Sequence, residues 1–390
     1  MNFRKITALL LCALMTAAFL TGCNQTPKSP FVSDEAPTTA SPSASEPAAP
    51  AALNIAGAYA ALDPKTVMLT INGDDVTWDA FFYYIYMYID QLQSQGYQLT
   101  DLSAIVTDDM TYKDYILENA TYLALQYAAL GYGADQLGVT LTEADKSAVQ
   151  SSWDERAASA GGEEAFIAQL QAAYCSKDLL TKLMGMQYLY YNSFAALYGA
   201  DGSVLSDEEI ADKTAQDGYL MAKHILMLTT KTDDSGNEVA MPDAEKAAVR
   251  VKMEDVLNQL KSYAGDDFDS FFNELMNQYS ADPGGASFPD GYLFQEGNMV
   301  PAFYDTTMAL EIGKFSDIVE SDYGYHIIYR LPINYDVTPI AYSNNGNYSL
   351  RYLTAQNMFS AIADTWLNSL NVVYSDQYNS LDFDKIFAAG

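Results

Sequence analysis

Apolar side chains recur every three to four positions over most of residues 77–217, and that period predicts helices. Phe81, Tyr84, Ile85, Tyr88, Ile89 and Leu92 share one face of the first helix, while Phe82, Tyr83, Tyr86 and Met87 fill much of the rest. A helix apolar nearly all round either sits in the middle of a helical domain or keeps one face exposed for use. A second helix over about 112–137 repeats Ile116, Leu123, Tyr127, Leu130, Ala134 and Leu137. Thr142 with Asp145, and Ser206 with Glu209, are capping boxes that open two more. Between them Leu179, Leu183, Met186, Tyr190, Phe194 and Leu197 form a stripe over Lys177–Tyr198. Only Val67–Ile71, the Asn72-Gly73 turn and Val76 read as a hairpin ahead of these helices. The stretch 77–217 therefore lacks the strand–helix alternation of a doubly wound sheet.

The period changes to two at Leu220–Leu228, where Leu220, Ala222, His224, Leu226 and Leu228 point one way, His224 inward with the leucines. Helical stripes return with Val249, Met253, Val256 and Leu260, then with Phe268, Phe271, Phe272, Leu275, Met276 and Tyr279. A Gly-, Pro- and Asp-rich loop over 280–298 follows, then a short helix from Val300 to Leu310. Two strands come next, around 316–320 and 325–330, the second within an apolar run (323–331) that carries His326. The acidic segment 233–238 lacks the alternating oxygen ligands of a calcium loop and reads as a solvated turn. After Pro332 a polar segment leads to a last helix with Phe359, Ile362, Ala363, Trp366 and Leu370 on one stripe, too isolated to form a core alone. It is expected to fold back on the helices of 67–217.

The first residues change the picture of where the chain works. Arg4 and Lys5 precede an apolar run from Ala8 to Leu20, and Leu20-Thr21-Gly22-Cys23 resembles a bacterial lipobox, with Cys23 as the lipidated first mature residue. The run is short for a bilayer span of about 20 residues. Residues 24–52 are Ser, Thr, Pro and Ala with almost no large apolar side chain, a flexible tether reaching roughly 30 Å. Cys12 falls in the signal and Cys23 at the lipid site, which leaves Cys175 as a buried thiol without a disulfide partner. The 390 residues carry a formal charge of −31, with 20 Lys and Arg against 51 Asp and Glu. Phosphate neutralisation needs cations, so this balance argues against nucleic acid and makes lipid, rather than a basic patch, the membrane attachment.

His224 and His326 are the only two histidines in the chain. Five blocks around them, in order, resemble a parvulin-type peptidyl-prolyl isomerase domain: Ala222-Lys223-His224-Ile225-Leu226; Asp267-Phe268 leading to Tyr279-Ser280-Ala281-Asp282-Pro283-Gly284; Gly297-Asn298-Met299-Val300-Pro301-Ala302-Phe303; Gly313 to Ser316; and Asp322-Tyr323-Gly324-Tyr325-His326-Ile327-Ile328. The layout of lipobox, helices and this domain is similar to PrsA-like foldase lipoproteins and, more distantly, to SurA-type chaperones. The resemblance implies an α+β fold, with a small antiparallel sheet and surrounding helices inserted in a mostly helical chaperone domain. The expected boundaries are 1–22 for the signal, 23–62 for the tether, 63–217 for the first helical part, 218–332 for the isomerase domain and 333–390 for the returning helix.

Carried over by position, the resemblance implies His224, His326 and Asp282 as catalytic residues, and Met299, Phe303 and Tyr323 around the proline. Many parvulins have Gly-Gly-Asp-Leu-Gly where this chain reads Phe288-Pro289-Asp290-Gly291-Tyr292-Leu293-Phe294, so either Tyr292 or Leu293 takes the place of the pocket leucine. Rotation about an Xaa-Pro bond makes and breaks no bond, so no cofactor or metal is called for. A dry pocket that holds the ring lowers the barrier of about 20 kcal/mol, because the twisted amide is less charge-separated than the planar one. The implied partners are unfolded or newly secreted chains with Xaa-Pro bonds and the membrane through lipid on Cys23, and a homodimer is compatible with the layout. A non-catalytic holdase is the rival reading, and a solute-binding lipoprotein is disfavoured by the missing α/β alternation.

Overall fold

In the computed structural model the described residues are 53–107, 110–343 and 348–388. They divide into two units, the first running to residue 196 and resuming at 359, the second spanning 197–358. The signal segment, Cys23 and most of the expected tether lie outside the described residues. Among the described residues no helix is long and apolar enough to cross a membrane.

The first unit begins earlier than a tether running to 62 allows. Asn54 accepts a hydrogen bond from the Gly57 amide and starts helix α1 (Ile55–Ala60), and its own amide donates to Phe387 O at 3.2 Å. Capping and a carbonyl partner order this end, and Ala58 is fully buried. Strand β1 (Val67–Ile71) turns through Asn72 and Gly73, both at positive φ (52° and 96°), into β2 (Asp74–Thr77). A twisted two-residue hairpin needs that backbone, and Asn-Gly adopts it at the least cost.

Helix α2 (Trp78–Ser94) follows, and it is buried on nearly every side: Trp78, Phe81, Phe82, Tyr83, Tyr84, Ile85, Tyr88, Ile89 and Leu92 all lie in the core. Its all-round apolar pattern therefore serves packing. A short hairpin, β3 (Ile105–Thr107) and β4 (Met110–Thr111), interrupts what sequence alone reads as helices only. Helix α3 (Tyr112–Leu137) is capped by Thr111 and stopped by Gly138 in the left-handed region. It is followed by α4 (Glu143–Ser159), with the Thr142–Asp145 capping box in place, α5 (Glu163–Ala172) and α6 (Lys177–Tyr198). Cys175 is a buried free thiol, and burial pushes it up to about 12, out of the range of a reactive thiolate.

The second unit opens with α7 (Asp207–Thr214), whose capping box joins Ser206 and Glu209. Strand β5 (Leu220–Leu228) is central to a sheet of order β8-β5-β10-β9, antiparallel throughout. Between β5 and the next helix, β6 (Thr230–Thr232) and β7 (Glu238–Ala240) form a hairpin that carries the acidic turn at its tip. Helices α8 (Asp243–Ser262) and α9 (Phe268–Tyr279) come before β8 (Tyr292–Phe294), and α10 (Pro301–Ala309) comes after it. Strand β9 is only Val319–Glu320, shorter than the 316–320 expected. At Ser316 the amide donates to Ile328 O, and the Ile328 amide donates back to Ser316 Oγ, so a side chain replaces the ladder carbonyl there. Strand β10 (Gly324–Leu331) pairs with β5 along its whole length, His326 opposite Leu226 and Ile328 opposite His224.

Alternation gives this sheet two different faces. Ile225, Met227, Tyr325, Ile327 and Tyr329 pack on α8 and α9 through Met253, Val256, Leu260, Phe272 and Leu275. On that side Lys223 is buried, its ammonium donating to Asp269 (2.6 Å) and Asn273 (2.7 Å). Leu220, Ala222, Tyr292, Phe294 and Ile328 pack on the other side with Phe303 of α10. Both histidines belong to this second face.

Helix α11 (Leu350–Asn368) starts in the second unit and ends in the first. Within the second unit, the Arg351 guanidinium donates to Leu205 O (2.6 Å), Asp207 (2.5 Å) and Asp336 (2.5 Å), and the Arg351 amide donates to Tyr335 O. Within the first unit, Phe359 meets Tyr190 and Phe194 edge-on. Trp366 lies so close to Gly133 that a Cβ there would sit 2.2 Å from its ring. Strand β11 (Val372–Tyr374), unforeseen in the sequence, completes a sheet of order β11-β1-β2, with Leu69 opposite Tyr374 and the Asn371 amide on Asn72 Oδ1. Two short helices, α12 (Asp376–Asn379) and α13 (Phe383–Ile386), end the described chain.

Candidate functional site

The two imidazoles come together because antiparallel pairing places residues 224 and 326 on one face, offset by one pair along the β5–β10 ladder. His224 Nδ1 and His326 Nδ1 are 3.0 Å apart and the ring planes differ by 17°. Both rings are nearly buried, with residue exposures of 7% and 3%. Phe303 of α10 stands edge-on to both, centroids at 5.1 Å from His224 and 5.9 Å from His326.

Asp282 reaches His224 because the loop after α9 is clipped onto β5. The Ala281 amide donates to Leu226 O (2.7 Å) and the Leu226 amide to Ser280 Oγ (3.1 Å). Three donors then converge on the Asp282 carboxylate. His224 Nε2 (3.0 Å) and the Tyr292 hydroxyl (2.6 Å) meet Oδ2, and the Gly284 amide (3.1 Å) meets Oδ1. Burial raises this carboxyl, but the hydrogen bonds from His224 and Tyr292 outweigh it and hold it at about 2. It is ionised at neutral pH. Burial, and after it the neighbouring carboxylate, push the Tyr292 phenol well above its ordinary value, so it stays a donor.

An ionised Asp282 can only accept, so the proton facing it belongs to His224. His224 carries a proton on Nε2, and in the neutral tautomer this leaves its Nδ1 as an acceptor. His326 therefore donates from Nδ1, and its Nε2 accepts from the Ser321 hydroxyl at 2.6 Å. Ser321 Oγ in turn accepts from the Tyr323 amide at 3.2 Å. For the neutral pair the result is a one-way chain from Ser321 through His326 and His224 to Asp282, with every ring nitrogen satisfied. Burial, followed by the His224 ring, lowers His326 to about 4, which keeps it neutral well below pH 7.

Met299 is half-buried against the cluster of Tyr292, Phe294, Phe303 and Ile328, just ahead of α10, where Pro301 occupies the first helical position. Tyr323 is 52% exposed at the turn into β10. Leu293 does not join these residues. It pairs with Met221, is fully buried, and packs with Met221 and Leu350, because its neighbours Tyr292 and Phe294 take the histidine face and alternation sends it to the other. Tyr292 takes that side of the site instead. Ser321 carried no signal beyond its place five residues before His326. The region is a hydrogen-bonded imidazole pair with Phe303 edge-on to both rings and Met299 packed against the Phe303 cluster.

The family model described as "PPIC-type PPIASE domain" matches residues 209–330, the span that holds every residue of the site. That span is a PPIC-type peptidyl-prolyl isomerase domain. A "Foldase protein PrsA" of Halalkalibacterium halodurans is 46% identical over 76 residues, 19% of this chain and 21% of that protein. A "Putative peptidyl-prolyl cis-trans isomerase Cbf2" of Campylobacter jejuni is 30% identical over 122 residues, 30% of this chain and 37% of that protein. The chain thus spans well under half the length of these curated relatives. The crystal structure of a peptidylprolyl isomerase (PrsA) from Bacillus cereus covers 74% of this chain and 100% of its own at 20% identity and a TM-score of 0.30, too loose an overlay to compare part by part. The PPIC-type domain is the likeness that bears on the site.

Proposed function

We propose that the chain is an extracytoplasmic foldase, lipid-anchored through Cys23, that catalyses cis/trans isomerisation of Xaa-Pro bonds in unfolded secreted chains. The observation that carries this reading is the His224–His326 contact at 3.0 Å beside Phe303, with Met299 packed against the same cluster. A prolyl ring seated on Phe303 and Met299 leaves water, and its preceding carbonyl swings while the ring stays held. The barrier of about 20 kcal/mol comes from lost amide resonance, and a poorly hydrated site favours the less charge-separated twisted state. The imidazole chain forms the floor. With all its hydrogen bonds made internally, it offers the ring a surface that does not need to reorganise during rotation.

The lipid on Cys23, the secreted clients and the export route rest on the sequence signals. NMR exchange spectroscopy on a short Xaa-Pro peptide, with the full chain and its His224→Ala and Met299→Ala variants, tests the enzyme. Catalysis lost in His224→Ala and cut by more than half in Met299→Ala is expected, and a wild type without catalysis refutes the reading.

A further inference from the structure

We propose that Tyr292 is a positioning residue for this isomerisation, pinning Asp282 onto the imidazole pair so that the hydrogen-bond chain runs in one direction. The inference rests on the isomerase reading above.

The local backbone is shaped to deliver this phenol. Gly291 has φ of 102°, and a Cβ there would meet Leu331 Cδ1 at 2.9 Å and Ala222 O at 3.0 Å. A side chain is thus excluded at 291, and the bend sets Tyr292 opposite Ala222, on the face of His224. The ring rests against Phe288 at 4.8 Å and lies 5.9 Å from His224. At its far end the hydroxyl lies where a Cβ on residue 284 would be, at 2.2 Å, so the Asp282 loop reaches it only because that residue is glycine. Two glycines of the one loop between α9 and β8 thus act together, Gly291 by its backbone bend and Gly284 by leaving room for the hydroxyl.

That hydroxyl and His224 Nε2 share Oδ2 of Asp282, and Oδ1 is taken by the Gly284 amide. The ionisable groups facing Asp282 are His224 from β5, His326 beyond it on β10, and Tyr292 from β8. A phenol that only donates leaves the carboxylate a pure acceptor, and the carboxylate obliges His224 to donate. Without the phenol, the carboxylate charge concentrates on His224 and one of its three restraints is gone. The imidazole pair then becomes more basic and its floor less rigid.

Tyr292→Phe in the full chain keeps the ring contacts and removes the hydroxyl. At neutral pH kcat/KM on an Xaa-Pro peptide is expected to fall about tenfold, the weight of one charge-assisted hydrogen bond. The pH at which the imidazole pair takes up a proton, read from its NMR signals, moves upward. In an Asp282→Asn background the same change costs less than about twofold, because the partner of the hydroxyl is no longer a carboxylate. Unchanged kcat/KM together with unchanged imidazole titration overturns the proposal. If the wild type shows no catalysis, the isomerase reading fails. The imidazole signals then decide the role of Tyr292 separately, since unmoved signals defeat it and an upward move retains it as the residue that orients the pair.

Discussion

Acid should weaken the second unit in a window set by one histidine. Burial holds His326 at about 4 in the folded chain, against 6.5 for a free imidazole. Between those values the unfolded chain binds a proton that the folded chain refuses. Stability is therefore fully present above pH 6.5 and is lost as the pH falls toward 4. At 1.36 kcal/mol per unit, the drop between pH 7 and pH 4.5 from this residue is about 2 to 3 kcal/mol. Asp282, at about 2 folded against 3.8 free, adds its own loss only below about pH 4, so the two windows do not overlap.

The assay is urea unfolding at a series of pH values, read by NMR from the imidazole protons. With two histidines in the chain, both signals report on the site without labelling. All three tryptophans, by contrast, lie in the first unit and report on it alone. The comparison is His326→Gln, which cannot titrate and should flatten the slope between pH 7 and 4.5. Equal slopes in the two proteins, or a wild-type signal for His326 that titrates above pH 6, would refute the reasoning.

Further outcomes follow from packing. Phe303→Ala should destabilise the second unit by about 3–5 kcal/mol, the cost of emptying a core aromatic, whereas half-buried Met299→Ala should cost less stability and more than half of the catalysis; urea midpoints and peptide kinetics separate them. Gly133→Ala forces Trp366 off its seat and should cost about 1–3 kcal/mol by overpacking, visible as a shift in tryptophan emission and in thermal midpoint. Suppression of client aggregation, if the tyrosine-rich helices supply it, should survive His224→Ala, and light scattering with a denatured substrate reads this directly.

The sequence carried the strand and the company of His224 with Leu220, Ala222, Leu226 and Leu228, since side chains two apart share a face, although Met221, Ile225 and Met227 make the other face equally apolar and buried. It carried helix α2 but left open whether all its faces are buried or one is exposed, and the structure buries nearly all of them. Leu293 went astray because β8 has only three residues, and in so short a strand one step of register exchanges the faces. The hydroxyls of Ser321 and Tyr292 could not be placed from sequence, because each acts through a partner many residues away or across a turn whose bend is set by tertiary contacts. Strand β11 was invisible for the same kind of reason. Three residues become a strand only where Leu69 and its neighbours, some 300 positions earlier, supply the ladder.

Arg351 has a consequence for how such a molecule is built. Its guanidinium grips residues 205 and 207 on the way to the sheet and residue 336 on the way out. The peptide thus comes and goes at a single doorway. Two chain ends held together by one cation are the arrangement that insertion into a surface loop calls for, since a host's own chain need not be pried apart to receive them.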